Sequence, residues 1–319
     1  MAPGQRRFRL TLHYDGTRFF GWQMQPEVRT VQGELQATLK RLTGAPRTVT
    51  GAGRTDRGVH ATGQVAAVVL PPRWSAATLL RALNATLPQD IWVAEAHVAP
   101  PGFHPRYDAT AREYGYRLGL TAAARSPFHR PWCWPLAHLT DDAASARADV
   151  DVEALHAAAS LLPGEKSFAA FARAGQEHRG DRCIVQEARW TPGALGVEFT
   201  ILANRFLHHM VRYLVGTMVD IARGRRPLDD MSTMLAGNHD GLVTSPPAPA
   251  AGLFLRRVLY PAHTTAHSTP IPDDSATDSD NTGAAADVPP EPARSVPFAD
   301  PALLDSDTDR PLAGSANHS

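Results

Sequence analysis

Hydrophobic and polar positions recur regularly enough to divide most of the chain into strands and helices. Phe8, Leu10, Leu12 and Tyr14 alternate with Arg9, Thr11 and His13, the period-two signature of a half-buried strand. Asp15-Gly16 then turns the chain, and Asp15 is read as a turn residue. Val31, Leu35, Leu39 and Leu42 follow at helical spacing behind Thr30, a capping residue, and Gly44 stops the run. Residues 64–70 read as a buried strand. Ser75 caps a second helix bearing Leu79, Leu80 and Leu83, which ends before Pro88 with Asn84 in a C-capping role. Residues 90–94 read as another strand. Tyr114, Tyr116 and Leu118 share one strand face with Arg112, and Tyr116 is assigned to the core.

Residues 121–150 are irregular and read as a connection between two halves. Val152, Leu155, Ala159 and Leu162 predict a helix stopped by Gly164. Residues 197–204 alternate as a strand that runs straight into a helix capped by Asn204. The apolar seam of that helix is Leu207, Val211, Leu214, Met218 and Ile221, with Arg205, His208, His209 and Arg212 on the other side. A short helix around 231–235 and a strand over 252–260 complete the ordered part. The expected class is α+β, in two halves at 1–120 and 121–260. Residues 261–319 are rich in Asp, Ser, Thr, Pro and Ala with few apolar anchors, and are expected to be a disordered acidic tail.

The chain of 319 residues is long enough for a sizeable core. Its net charge of zero is an average of two unlike parts. The tail carries nine Asp and one Glu against Arg294 and Arg310, a net of −8, which leaves +8 on residues 1–260. A cationic body suits a phosphate-bearing partner. Arg supplies all the basic residues except Lys40 and Lys166, so Arg abundance alone identifies no site. Cys133 and Cys183 show no metal-ligand spacing and fit a reducing compartment. The N-terminus lacks an apolar signal core and no apolar run reaches about eighteen residues, so a soluble cytoplasmic protein is expected.

The candidate chemistry centres on Gly51-Ala-Gly-Arg-Thr-Asp-Arg-Gly-Val-His60-Ala-Thr-Gly-Gln-Val-Ala66. Four glycines free its backbone for tight turns, and one carboxylate, Asp56, stands between Arg54 and Arg57. Neighbouring guanidinium groups favour an ionised carboxylate, which suits a nucleophile. A plain turn whose Asp bonds its own backbone is the competing reading. The pair His208-His209 invites a metal, but no third ligand lies at helical spacing, so none is expected. An Asp-dependent hydrolase would want a second carboxylate, for which Asp108 is the nearest candidate.

These segments together resemble the tRNA pseudouridine synthase A family. The resemblance is carried by the Gly-Ala-Gly-Arg-Thr-Asp-x-Gly-Val-His loop, by Arg112-Glu-Tyr-Gly-Tyr116 and by Ala203-Asn-x-Phe-Leu-His-His-Met-Val-Arg212-x-x-Val-Gly216. Tyr14-Asp-Gly-Thr near the start and Gly252-Leu-x-Leu with Val258-x-Tyr at the end extend it over residues 6–260. It implies a pseudouridine synthase fold, with antiparallel sheets from two α/β halves joined around a central cleft. It further implies a homodimer that isomerises uridine to pseudouridine at positions 38, 39 and 40 of the tRNA anticodon arm, without a cofactor. On this resemblance Asp56 is the nucleophile and Arg212 pairs with it. Tyr114 stacks on the target base, and Arg54 fills the space that the flipped nucleotide leaves. Three positions depart from the pattern. Arg57 stands where a small residue is usual, Pro105 replaces an Ala, and Lys166-Ser167 replaces His-Asp. A protein that keeps the fold and binds RNA without catalysis is the rival reading.

Overall fold

The alternating run at the N-terminus forms strand β1 (Arg6–Tyr14), with Phe8, Leu10, Leu12 and Tyr14 buried. This computed structural model describes residues 4–137, 149–173, 180–237 and 241–262. The acidic tail from residue 263 onward and part of the 121–150 connection lie outside the described residues. Helix α1 (Val31–Thr43) starts where Thr30 accepts a hydrogen bond from the Gly33 N–H, and it ends at Gly44 in the left-handed conformation. Strand β2 (Val49–Gly51) leads into the Asp56 loop, and β3 (His60–Leu70) leaves it. Helix α2 (Ala76–Thr86) is capped reciprocally by Ser75 and Thr78. Strands β4 (Ile91–Val98) and β5 (Ala111–Gly119) follow, then the short β6 (Trp134–Pro135).

The second part contains α3 (Val152–Ser160), β7 (Gly164–Ser167), β8 (Arg182–Gly193), β9 (Gly196–Ala203), α4 (Met210–Ala222), α5 (Asp229–Leu235) and β10 (Leu253–Leu259). All strands among the described residues join one sheet, in the order β4-β1-β3-β10-β5-β9-β8-β7, with β2 on β3 and β6 on β5. Along that path neighbours are antiparallel except β3 and β10, which run parallel. The fold is therefore α+β, a large, mostly antiparallel sheet with five α-helices among the described residues, consistent with the pseudouridine synthase fold.

Several sequence expectations need correction. Asn84 does not cap α2. Its amide donates to the Val93 carbonyl and its carbonyl accepts the Val93 N–H, which pins the helix to β4. Gly164 opens a strand rather than stopping a helix, because α3 already ends at Ser160. Helix α4 starts at Met210, five residues later than an Asn204 cap would place it. The Asn204 carboxamide instead accepts the Ile184 N–H and holds β8 against the end of β9. Nor is α4 one-sided. All its residues but Arg212, Tyr213 and Asp220 are buried, so it is a central helix. At Gly216 an added β-carbon would lie 2.1 Å from the Pro246 carbonyl oxygen, so the helix backbone itself meets the 246–249 segment.

Candidate active site

The Asp56 loop is rigid because its backbone is claimed from several sides. Trp22 N–H donates to the Thr55 carbonyl at 3.0 Å and Gly58 N–H to the Phe19 carbonyl at 3.2 Å. Asp56 offers its own carbonyl to the Val59 N–H at 3.1 Å. Gly21 lies against this loop with φ +86°, and a β-carbon there would sit 2.5 Å from the Thr55 carbonyl oxygen. No other residue both adopts that angle readily and leaves room. Below the loop, Gln64 and Tyr14 are buried. The Tyr14 hydroxyl bonds the Thr55 hydroxyl at 2.8 Å, and burial pushes the Tyr14 phenol up to about 12. Arg112 donates to the carbonyls of Ala52, Arg106 and Asn204, so its charge organises backbone where three segments converge.

Strand register brings Tyr114 to this loop. Tyr114 is paired with Leu255 of β10, and Leu255 in turn with Ala61 at the start of β3. The Tyr114 ring is 9% exposed and packs edge-on against Phe206, with centroids 4.9 Å apart. Its phenol is held well above the usual range, by burial first and then by Tyr14 and the Asp56 carboxylate. Gly53 is beside its hydroxyl, 4.0 Å from an ideal β-carbon position. Arg54 is exposed at the surface of the loop. The Arg57 guanidinium lies over the Phe20 ring at 4.2 Å, so the larger residue after Asp56 has a packing role.

The Asp56 carboxylate meets two side chains that the sequence reading gave no role at it. His208 Nε2 lies 3.3 Å from Oδ1 and His209 Nε2 lies 3.4 Å from Oδ2. Both histidines precede α4 or cap it, and His209 is in the left-handed region at φ 64°. Burial lowers the His209 pKa, Asp56 opposes that shift, and His208, Arg212 and Arg173 reinforce it. Nothing in the local spacing announced this contact. The one available signal was the adjacency of two histidines inside a long motif.

Arg212 does not form an ion pair with Asp56 among the described residues. Its Nε donates to the Ala248 carbonyl at 2.7 Å, while Ala248 N–H donates to the Arg212 carbonyl at 2.9 Å. It therefore ties α4 to the segment that leads into β10. Asp108 is engaged elsewhere, accepting the His104 N–H at 2.9 Å. Asp15 is the turn residue expected, accepting from Thr17. Tyr116 is fully buried, as assigned. At the Lys166-Ser167 departure, the Ser167 hydroxyl bonds the Asp181 carboxylate, so an acid from β8's approach stands at this strand end. Tyr260 donates to the Pro105 carbonyl at 2.7 Å and braces that substitution. Arg226 is committed to Asp230, Ser245 and the Val243 carbonyl, which makes it structural.

Residues 11–108 and 158–261 match the family model described as tRNA pseudouridine synthase. The tRNA pseudouridine synthase A of Chloroflexus aurantiacus is 40% identical over 265 residues, covering 80% of this chain and 89% of that protein. The proteins of the same name from Geobacillus kaustophilus and Chlorobaculum tepidum are each 38% identical, over 82% of this chain and 98% and 100% of their own lengths. No helix among the described residues is long and apolar enough to cross a membrane. By its matched residues and the identity it shares with these relatives, the chain belongs to the tRNA pseudouridine synthase A family.

Proposed function

We propose that this protein isomerises uridine to pseudouridine in tRNA, at positions 38, 39 and 40 of the anticodon arm. The reaction breaks the N1–C1′ bond, rotates the base and forms a C5–C1′ bond. The C5 proton is lost and N1 gains one, so the product is an isomer and no redox partner or cofactor is consumed. Asp56 is the nucleophile. Tyr114 gives the flipped base an aromatic plane, as enzymes acting on an extruded base require. Arg54, exposed beside Asp56, fills the vacated stack. Arg212 supports the ionised Asp56 with its charge.

The observation that carries this reading is the presence of one carboxylate on a braced loop, near enough to the buried Tyr114 for its charge to help raise the phenol. A merely structural turn would not need Gly21, Gln64, Tyr14 and Arg112 to hold it. The cationic body supplies the phosphate-binding charge, and the enzyme works in the cytoplasm as a homodimer, with one half at 1–120 and the other at 121–260 forming the cleft. The test is incubation with an unmodified tRNA transcript, followed by carbodiimide labelling and primer extension. Stops at positions 38, 39 or 40 are expected. RNA binding without any stop supports the non-catalytic rival.

A further inference from the structure

His208 and His209 precede α4 rather than sharing a helical face, and a third ligand reaches them from a loop about 150 residues away in sequence. We propose that Asp56, His208 and His209 form a binding site for a single divalent transition-metal ion of the zinc class, which competes with RNA and switches the enzyme off.

The geometry is close to what such an ion needs. Tetrahedral zinc with bonds of about 2.0–2.1 Å places its ligand atoms about 3.3–3.4 Å apart. His208 Nε2 is 3.3 Å from one Asp56 oxygen and His209 Nε2 is 3.4 Å from the other. One ligand atom from each residue lies within 4.8 Å of the other two, so a modest turn of the carboxylate and imidazoles brings all three onto one ion. His208 is the group that can move, since its side chain is 38% exposed against 17% for His209.

The backbone explains how neighbours in sequence converge. Successive residues on a regular helix point about 100° apart. The left-handed turn at His209 breaks that pattern, and the two rings come to 4.2 Å between centroids with both Nε2 atoms at one carboxylate. A non-glycine residue in that conformation costs on the order of 1 kcal/mol. Two imidazole nitrogens with one carboxylate oxygen is also a donor set for zinc, copper or nickel, whereas magnesium and calcium favour oxygen alone. The partly exposed site leaves a fourth position to water. Arg212 and Arg173 add positive charge nearby, so affinity in the micromolar range is expected rather than the tight binding of a resident cofactor.

Inhibition rests on the reading of Asp56 as nucleophile; binding does not. The experiment therefore measures them separately, on the untagged full chain. Calorimetric titration with zinc chloride is expected to show one saturable equivalent. Cobalt(II) should give the visible absorption of a tetrahedral site, bleached by zinc. His208→Asn and His209→Asn should each weaken binding by about tenfold or more, while His97→Gln, at the exposed His97–Glu95 pair, leaves it unchanged. Zinc should also raise the apparent KM for tRNA with kcat unchanged, and EDTA should reverse this. The absence of one-equivalent binding overturns the site, as does affinity indifferent to both histidine variants in chains whose circular dichroism is intact. Binding at the site with unaltered tRNA turnover overturns the inhibition and the role of Asp56 while leaving the metal site standing.

Discussion

Gln64 and Gly53 are joined by two hydrogen bonds, the Gln64 amide donating to the Gly53 carbonyl at 2.8 Å and its carbonyl accepting the Gly53 N–H at 3.3 Å. One buried side chain thus plays the part of a neighbouring strand for the loop that carries Asp56.

Gln64→Leu leaves both Gly53 groups without that partner. Each unmet buried group costs about 1–3 kcal/mol, and in a body of this size about 2–4 °C of Tm accompanies each kcal/mol. Scanning fluorimetry should show a clear fall in Tm, and kcat should fall more than KM rises. A melt within a degree of wild type would mean that the loop holds its shape without the clamp.

Asp56→Asn keeps the shape of the side chain and removes the nucleophile. Pseudouridine formation should fall by at least about a thousand-fold, with tRNA affinity within a few-fold of wild type, because a covalent step is lost rather than binding. Turnover within tenfold of wild type in a single-turnover assay would end the assignment.

Arg212 has both a charge and a hydrogen bond to Ala248 to lose. Arg212→Met removes both, whereas Arg212→Lys keeps the charge. If charge beside Asp56 is what counts, Lys should recover at least about tenfold of the kcat that Met loses, equivalent to about 1.4 kcal/mol. Equal loss in the two variants would leave Arg212 only its structural tie to the 246–249 segment.

Arg29 and Asp90 provide a test of pH dependence. Arg29 bonds both Asp90 oxygens, at 2.7 and 2.9 Å, and Arg18 adds a contact at 3.0 Å. Burial works against ionisation of Asp90, but the Arg29 bonds outweigh it and hold the carboxyl below its ordinary value. A depressed native pKa gives stability that is fully present above the unfolded value near ~4 and is lost as pH falls through the native one. Asp90→Asn should therefore cost about 2 kcal/mol at neutral pH, and its gap from wild type should narrow in melts taken below about pH 4. A gap that stays constant down to pH 3 would remove the ion pair from the account.

The elements that were legible in the sequence are those whose own residues declare them. The alternation of Phe8 to Tyr14, the Thr30 and Ser75 caps and the left-handed Gly44 are local, and the structure repeats them. The strand β8 was not read because a bulge between Val185 and Glu187 breaks its alternation. The start of α4 was misread for a different reason. Asn204 has the chemistry of a cap but is spent on Ile184, and His209 takes the left-handed turn usually left to Gly or Asn. Asp56 and Tyr114 were found through their motifs. The approach of His208 and His209 to Asp56 depends on that turn and on sheet order, neither of which leaves a periodic trace.

Strand β10 comes last among the described strands and yet lies in the middle of the sheet, between β3 and β5. During synthesis on a ribosome, β3 and β5 must wait with open edges until residues 253–259 have left the exit tunnel. Open edges are the surfaces through which unfinished chains pair wrongly. The row of Tyr114, Leu255 and Ala61 closes only when that segment slots in. The growing polypeptide thus lacks the strand that joins the Asp56 loop's strand to Tyr114 until nearly all of its body has been translated.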